Sequence, residues 1–270
     1  MSQTLHAGRP RRRKWGNGEK RRLAVEAFTF LYINVVWLLA GFLNGVTSFG
    51  GNLFAVPLMT LVMETKEAII FSCLVGTSIT VSISVLYHHD LPKKEFLLAL
   101  LASAAGVPFG LAALKLASPQ SILIGSGMIL LLFLIWQVVA GRLHCAFRVP
   151  VWSIIPAGVL AGLLMGATGM GGPMLAMYAV LRGWSKEVTL SMLNTLAALS
   201  MIFLIILQWK DGLYTPDMLR TAVWAVPCCV IGVLVSVPLI RRLNPHMFRL
   251  LLLGMLVFSM LMLFARGAGF

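Results

Sequence analysis

Long apolar runs separated by short polar breaks fill the chain. In the first half the apolar pieces fall at about 23–48, 51–63, 67–87, 94–116 and 120–140. In the second half they fall at about 151–168, 172–182, 187–209, 217–240 and 246–265. Runs such as "FLYINVVWLLAGFLNGV" and "LLLLGMLVFSMLMLF" are apolar all round, the signature of helices in lipid. Segments of alternating polarity, which a membrane β-barrel needs, are missing from the pattern. The predicted fold is an all-α polytopic membrane protein.

The pieces match between halves in order and length. Gly41, Gly45, Gly50 and Gly51 correspond to Gly162, Gly166, Gly171 and Gly172, each pair 121 positions apart. Thr47 falls on Thr168 and Asp90 on Asp211 at the same offset. "LPKKEF" and "YTPDML" both lead into a span, and Pro119 in "ASPQ" resembles Pro245 in "LNPH". An ordered series at one offset predicts an internal duplication. The expected organisation is a basic arm over 1–22, a first transmembrane repeat over 23–140, a linker over 141–150 ("GRLHCAFRVP") and a second repeat over 151–270.

Two pieces are too short to cross alone. At 1.5 Å rise per residue, 51–63 reaches about 20 Å, against a hydrocarbon core of about 30 Å. Each follows a glycine-rich break, "NGVTSFGGN" at 44–52 and "MGATGMGGP" at 165–173. Each repeat is therefore expected to hold about four crossings plus one short, Gly-broken helix. Matching interruptions in two repeats are a pointer to a transport site.

Orientation follows from Lys and Arg placement. If the short pieces add no crossing, there are eight crossings and the repeats are parallel. The arm, "HHDLPKKE", the linker, "KDGLYTPD" and the C-terminus then share the cytoplasmic side, with Lys66, Lys115, Arg182 and Lys186 opposite. If they do cross, there are ten crossings and the halves are inverted. The eight-crossing reading agrees better with the charge rule, although Arg241, Arg242 and Arg249 violate it.

Unwound backbone at membrane depth survives only inside protein or beside water. After "FGG" and "MGG" a new helix starts with N–H groups that lack helical partners, and such an end attracts an anion. Gly50, Gly51, Gly171 and Gly172 are therefore read as ligand-facing. Thr47, Ser48, Asn52 and Thr168 would add hydroxyl and amide donors. Asn194, costly in hydrocarbon without a partner, joins them as a site candidate. Gly41/Gly45 and Gly162/Gly166, at four-residue spacing, read instead as close helix contacts. Cys73, Thr77, Ser78, Ser82, Thr195 and Ser200 lie on the helices that follow. Their hydroxyls more often bond back to their own helix.

Charge and composition narrow the function. The chain carries 11% charged residues against about 25% in soluble domains, too few to coat a water-exposed surface. The net charge of +13 is concentrated in "RPRRRKWGNGEKRR", residues 9–22. Beside a span, this reads as a cytoplasmic anchor near anionic lipid, not a nucleic-acid arm. The run 23–46 is too long for a secretory signal, and twin-arginine targeting lacks a cleavable region. Cys73, Cys145, Cys228 and Cys229 form no C-x-x-C pair, and adjacent Cys228 and Cys229, in an apolar run, read as core packing. No charged residue falls deep within the central spans. His88 and His89 sit at a predicted membrane edge, where two adjacent histidines on a helix diverge. No catalytic set, cofactor or metal site is expected. A Walker motif is missing, so coupling would be to protons or the membrane potential. The leading reading is a secondary transporter of a small anion, with membrane lipid as its surroundings. A membrane enzyme and a non-transporting subunit are the alternatives.

At "GFLNGVTSFGGNLFAVPLM" and "GVLAGLLMGATGMGGPMLA" the chain resembles the TauE/SafE family of sulfite and organosulfonate exporters. The resemblance covers nearly everything after the basic arm. It implies transport of sulfur-containing or other small organic anions, often export, across a bacterial inner membrane. By resemblance, Gly50, Gly51, Gly171 and Gly172 take the role of motif glycines and Pro57 that of the downstream proline. Ser48, Asn52 and Pro173 depart from the usual glycine run, so sulfite, sulfoacetate, taurine-like sulfonates and non-sulfur anions all fit the resemblance.

Overall fold

The computed structural model describes residues 17–47, 49–87, 91–142, 149–240 and 245–268. The helices are α1 (Asn17–Thr47), α2 (Gly50–Met59), α3 (Thr65–Leu86), α4 (Lys93–Leu116), α5 (Pro119–Arg142), α6 (Ile154–Thr168), α7 (Gly172–Arg182), α8 (Lys186–Lys210), α9 (Pro216–Ile240) and α10 (Pro245–Gly267). A single 3-10 turn, Val151–Ser153, leads into α6. The described residues contain no strand. Seven of their helices are long and apolar enough to cross a membrane. Every apolar piece of the sequence became one helix. The arm differs: α1 starts inside it, because "NGEKRR" supplies good helix formers that continue the apolar helix backward. Residues 1–16 lie outside the described residues, as do 143–148 of the linker and His88–Asp90.

Polar contacts fix which loops share an end of the bundle. Lys66 Nζ donates to the Lys115 carbonyl at 2.8 Å, and Lys115 pairs with Asp211 at 2.7 Å. Arg266 donates to the Thr60 carbonyl at the same end. At the other end, Arg182 pairs with Glu95 at 2.8 Å and donates to the Val149 carbonyl at 3.2 Å. Glu95 and Lys115 stand at opposite ends of α4, so the two groups are a full helix apart.

This grouping corrects the orientation expected from charge. Lys115 and Asp211 were assigned to opposite sides, and they form an ion pair. The direction of the short helices explains the difference. Tyr32 Oη donates to the Leu58 carbonyl at 3.0 Å, so α2 runs back along α1. The Arg182–Val149 contact brings the end of α7 back to the start of α6. Each glycine break is therefore the tip of a hairpin. The α1–α2 hairpin enters from the Lys66/Lys115/Asp211 end and α6–α7 from the Glu95/Arg182 end. In the first half α1, α3, α4 and α5 are each long and apolar enough to span and α2 is short, as expected. The sidedness is that of the inverted alternative, because α2 and α7 bring the chain back to the ends from which α1 and α6 start.

Helix packing follows the same exchange. α1 packs on α9 as α6 packs on α4, α2 meets α10 as α7 meets α5, and α3–α8 and α5–α10 pair with each other. Substituting the first five helices for the second five returns the same partners for every pair but α3–α5. The α1–α9 and α4–α6 contacts run through glycine. A Cβ on Gly41 would meet the Cys229 carbonyl, and one on Gly162 the Ser103 carbonyl. Gly45 and Gly166 abut Ser236 and the Val107 carbonyl in the same way. All four glycines predicted to pack do so.

The two ion pairs differ in environment. Glu95 is buried and also accepts from Tyr178 Oη at 3.3 Å, whereas the Lys115 and Asp211 side chains are 44% and 36% exposed. Stranding one partner of a buried pair is costly, and exposed pairs contribute little. Glu95→Ala should lower the thermal midpoint in detergent by several degrees, and Asp211→Ala should leave it nearly unchanged. Equal midpoints would show that the Glu95 cluster does not hold α4 to α7.

Candidate functional site

The two hairpin tips meet in the middle of the bundle. At 1.5 Å per residue, α2 and α7 are roughly 15 and 17 Å long, together close to the hydrocarbon thickness of about 30 Å. Their N-termini therefore face inward and their C-termini reach opposite ends. Asn52 Nδ2 donates to the Gly169 carbonyl at 2.9 Å, which ties the first break to the second. Gly172 lies against Phe49, where an added Cβ would come within 2.6 Å of the phenylalanine Cβ.

A cavity of about 40 Å³ sits at this junction. Its wall includes Asn52 of the first break, Gly171 and Gly172 of the second, Gly76 and Thr80 of α3, and Ala197 of α8. No lining residue among those described is charged. Gly76 makes the room: a Cβ there would collide with Asn52 Oδ1.

The breaks treat their free N–H groups differently. In the first, Gly51 N–H donates to Asn44 Oδ1 at 2.8 Å and Gly50 N–H to Thr47 Oγ1 at 3.0 Å. Thr47 also donates to the Leu43 carbonyl at 2.8 Å. Those two donors of α2 are satisfied by the chain's own side chains. In the second, Met165 stands 121 positions after Asn44, and a thioether is only a weak acceptor. Thr168 donates back to the Leu164 carbonyl at 2.8 Å, and among the described residues no side chain accepts from the Gly171 or Gly172 N–H. Gly171 and Gly172 reach the cavity with this end uncapped. The donors left without a partner at the junction therefore lie at the start of α7, near Asn52.

The candidates from sequence divide accordingly. Asn52, Gly171 and Gly172 line the cavity. Thr47, Gly50 and Gly51 build the tip of the first hairpin behind it. Asn194 accepts from Asn44 Nδ2 at 3.3 Å and donates to the Leu190 carbonyl at 2.9 Å, so it braces that tip from α8. Thr168 faces a separate apolar pocket of about 190 Å³ between α4, α5 and α6. Ser48 lies outside the described residues. Thr77, Ser78 and Ser82 bond back to carbonyls of their own helix, as their type favours.

Sequence reasoning passed over Asn44, Phe49, Gly76, Thr80 and Gly169, all of which line the cavity. Asn44 carried a usable signal, since the cost of an amide in hydrocarbon that singled out Asn194 applies to it equally. Gly169 has φ +72°, so the left-handed residue of the second break is this one and not Gly172. The paired glycines serve close approach, because neither Gly51 nor Gly172 holds a positive φ.

A model of the family described as Sulfite exporter TauE/SafE matches residues 33–263 of the chain. No curated protein and no solved structure matches it.

Proposed function

Because the chain belongs to the TauE/SafE sulfite exporter family, we propose that it is a secondary transporter that exports a small anion, sulfite first among the candidates, through the cavity where its two hairpins meet. It works as a carrier and not as an enzyme, with no cofactor. The observation that carries this reading is the uncapped start of α7 facing Asn52 across an uncharged cavity. A helix N-terminus presents roughly half a positive charge and free N–H donors. Two inward-facing ends favour an anion at the centre, and a described lining without Lys or Arg keeps binding loose enough for release.

Size adds a substrate argument. A cavity near 40 Å³ has room for roughly three waters, which suits a compact oxyanion better than a long sulfonate. Hairpins entering from opposite ends support alternating access, in which one unit rocks against the other around a fixed site. On this reading 23–140 and 151–270 are inverted repeats of one ancestral unit. The protein sits in a bacterial inner membrane with the N-terminal arm cytoplasmic. An inside-negative potential supplies about 2.3 kcal/mol per charge per 100 mV, enough to drive export without a second ion.

Proteoliposomes with radiolabelled sulfite, sulfoacetate, taurine and chloride test the proposal. Saturable sulfite flux that follows an imposed potential is expected. Asn52→Leu should reduce it about tenfold or more, the equivalent of about 1.4 kcal/mol of lost donor interaction. No flux of any anion above empty liposomes would refute the transporter reading.

A further inference from the structure

We infer that Met201 sets the specificity of the central cavity: the wall it forms with Ile79 and Leu193 gives a fourth oxygen nothing to bond, so the site takes oxyanions with three oxygens and a bare or apolar apex and rejects sulfate and phosphate. The inference rests on the transporter reading above and narrows it to a substrate class and the residue that selects it. The donors of the cavity come from the two hairpin tips. Asn44 gives one amide N–H to Asn194 at 3.3 Å, and Asn52 gives one to the Gly169 carbonyl at 2.9 Å. A side-chain amide has two, so each keeps one. The Gly171 and Gly172 N–H groups, which have no partner among the described residues, add theirs.

The helices α3 and α8 add none. α3 contributes Gly76, Ile79 and Thr80 to the lining, and α8 contributes Leu193, Ala197 and Met201. The Thr80 hydroxyl is spent on the Thr77 carbonyl at 3.0 Å, which leaves it only acceptor capacity. The Gly76 and Ala197 N–H groups lie in mid-helix, within the helical ladder. Ile79, Leu193 and Met201 are apolar and buried. Met201 stands 121 positions after Thr80, so the second half places a thioether where the first has a hydroxyl. A small anion therefore meets N–H groups from the tips and only hydrocarbon, sulfur and a spent hydroxyl from α3 and α8. Three oxygens can share the donors. A fourth, at the apex, would lie against Met201 stripped of water and without a donor. Sulfite escapes that cost because its apex is a lone pair, and a short sulfonate because its apex is carbon.

The test is displacement of radiolabelled sulfite from the purified full-length chain. Methanesulfonate and perchlorate are both singly charged and tetrahedral, and they differ at the apex, methyl against oxygen. Perchlorate is the more weakly hydrated, so solvation alone would favour it. Methanesulfonate should nevertheless displace sulfite at a concentration at least about tenfold lower, and sulfate should be weaker than methanesulfonate by at least as much. Met201→Gln nearly keeps the side-chain length and adds an amide donor to the wall. In that variant the advantage of methanesulfonate over perchlorate should fall to about threefold or less. If Met201→Gln is not recovered folded, Leu193→Gln on the same wall takes its place. Equal potency of the two anions on the wild-type protein overturns the inference, as does methanesulfonate that displaces nothing, or an advantage that the substitution leaves unchanged. Wild-type protein that binds no sulfite is a different failure: it removes the transporter reading itself.

Discussion

Gly172→Val should abolish sulfite flux while leaving a folded, membrane-inserted protein. Gly172 lines the cavity at the uncapped start of α7, and its Cβ would fall 2.6 Å from that of Phe49. The clash is with a side chain at the edge of a void, so Phe49 can shift. The cavity cannot keep its volume, however, because a valine side chain adds three carbons where only about 40 Å³ is free. It would also cover the N–H donors of Gly171 and Gly172. A loss of more than about 2.8 kcal/mol in site affinity, a hundredfold in binding, is a modest expectation for filling a site and hiding its donors. Gly125→Val is the control, since a Cβ there meets nothing within 4 Å. Flux is compared at matched membrane levels. Normal transport by Gly172→Val would mean that the substrate does not pass this junction.

Gly162→Val should fail at an earlier stage, in folding. A Cβ on Gly162 would land on the Ser103 carbonyl, and Gly106 and Gly166 make equally close backbone contacts across the α4–α6 interface. Overpacking against movable side chains costs about 1–3 kcal/mol, and a rigid helix backbone yields less readily than a side chain. The variant should give little monodisperse protein in detergent. Gly41→Val, against the Cys229 carbonyl on the α1–α9 interface, should do the same. Monodisperse, thermally normal Gly162→Val would show that the helices can separate there at no cost, and the packing account of these glycines would be wrong.

That Gly162 packs on a neighbouring backbone was legible in the sequence, as was the break at Gly172, which the structure places at the central cavity. Spacing of four residues marked Gly41/Gly45 and Gly162/Gly166 as contact positions, and a pair followed by a short helix marked Gly171/Gly172 as a ligand-facing break. Helix positions were equally legible, since an all-apolar run of fixed length has one solution in lipid. Direction was not. Apolar length says that α2 is short but not that it folds back on α1, a fact carried by the Tyr32–Leu58 contact across 26 residues. Charge counting then misassigned Lys115 and Asp211, because the preferred reading let the first helix cross without the short helix returning the chain, whereas the inverted alternative puts the two on one side. Within the site, the sequence showed which groups could donate but not which were already spent. Thr47 and Thr168 occupy equivalent places, yet one caps a helix start and the other bonds only to its own helix. Asn44 decided that asymmetry, and its place in the motif drew no notice because glycine is the obvious feature there.

Equilibrium binding of radiolabelled sulfite to the purified protein tests the central claim most directly, since binding does not depend on coupling or direction. The wild-type chain and Gly125→Val should each bind one sulfite per chain, displaced by other small oxyanions. Gly172→Val and Asn52→Leu should show no saturable binding over the same range. Undiminished binding by both of these variants would contradict the account, because it would place the anion somewhere other than the meeting point of the two hairpins.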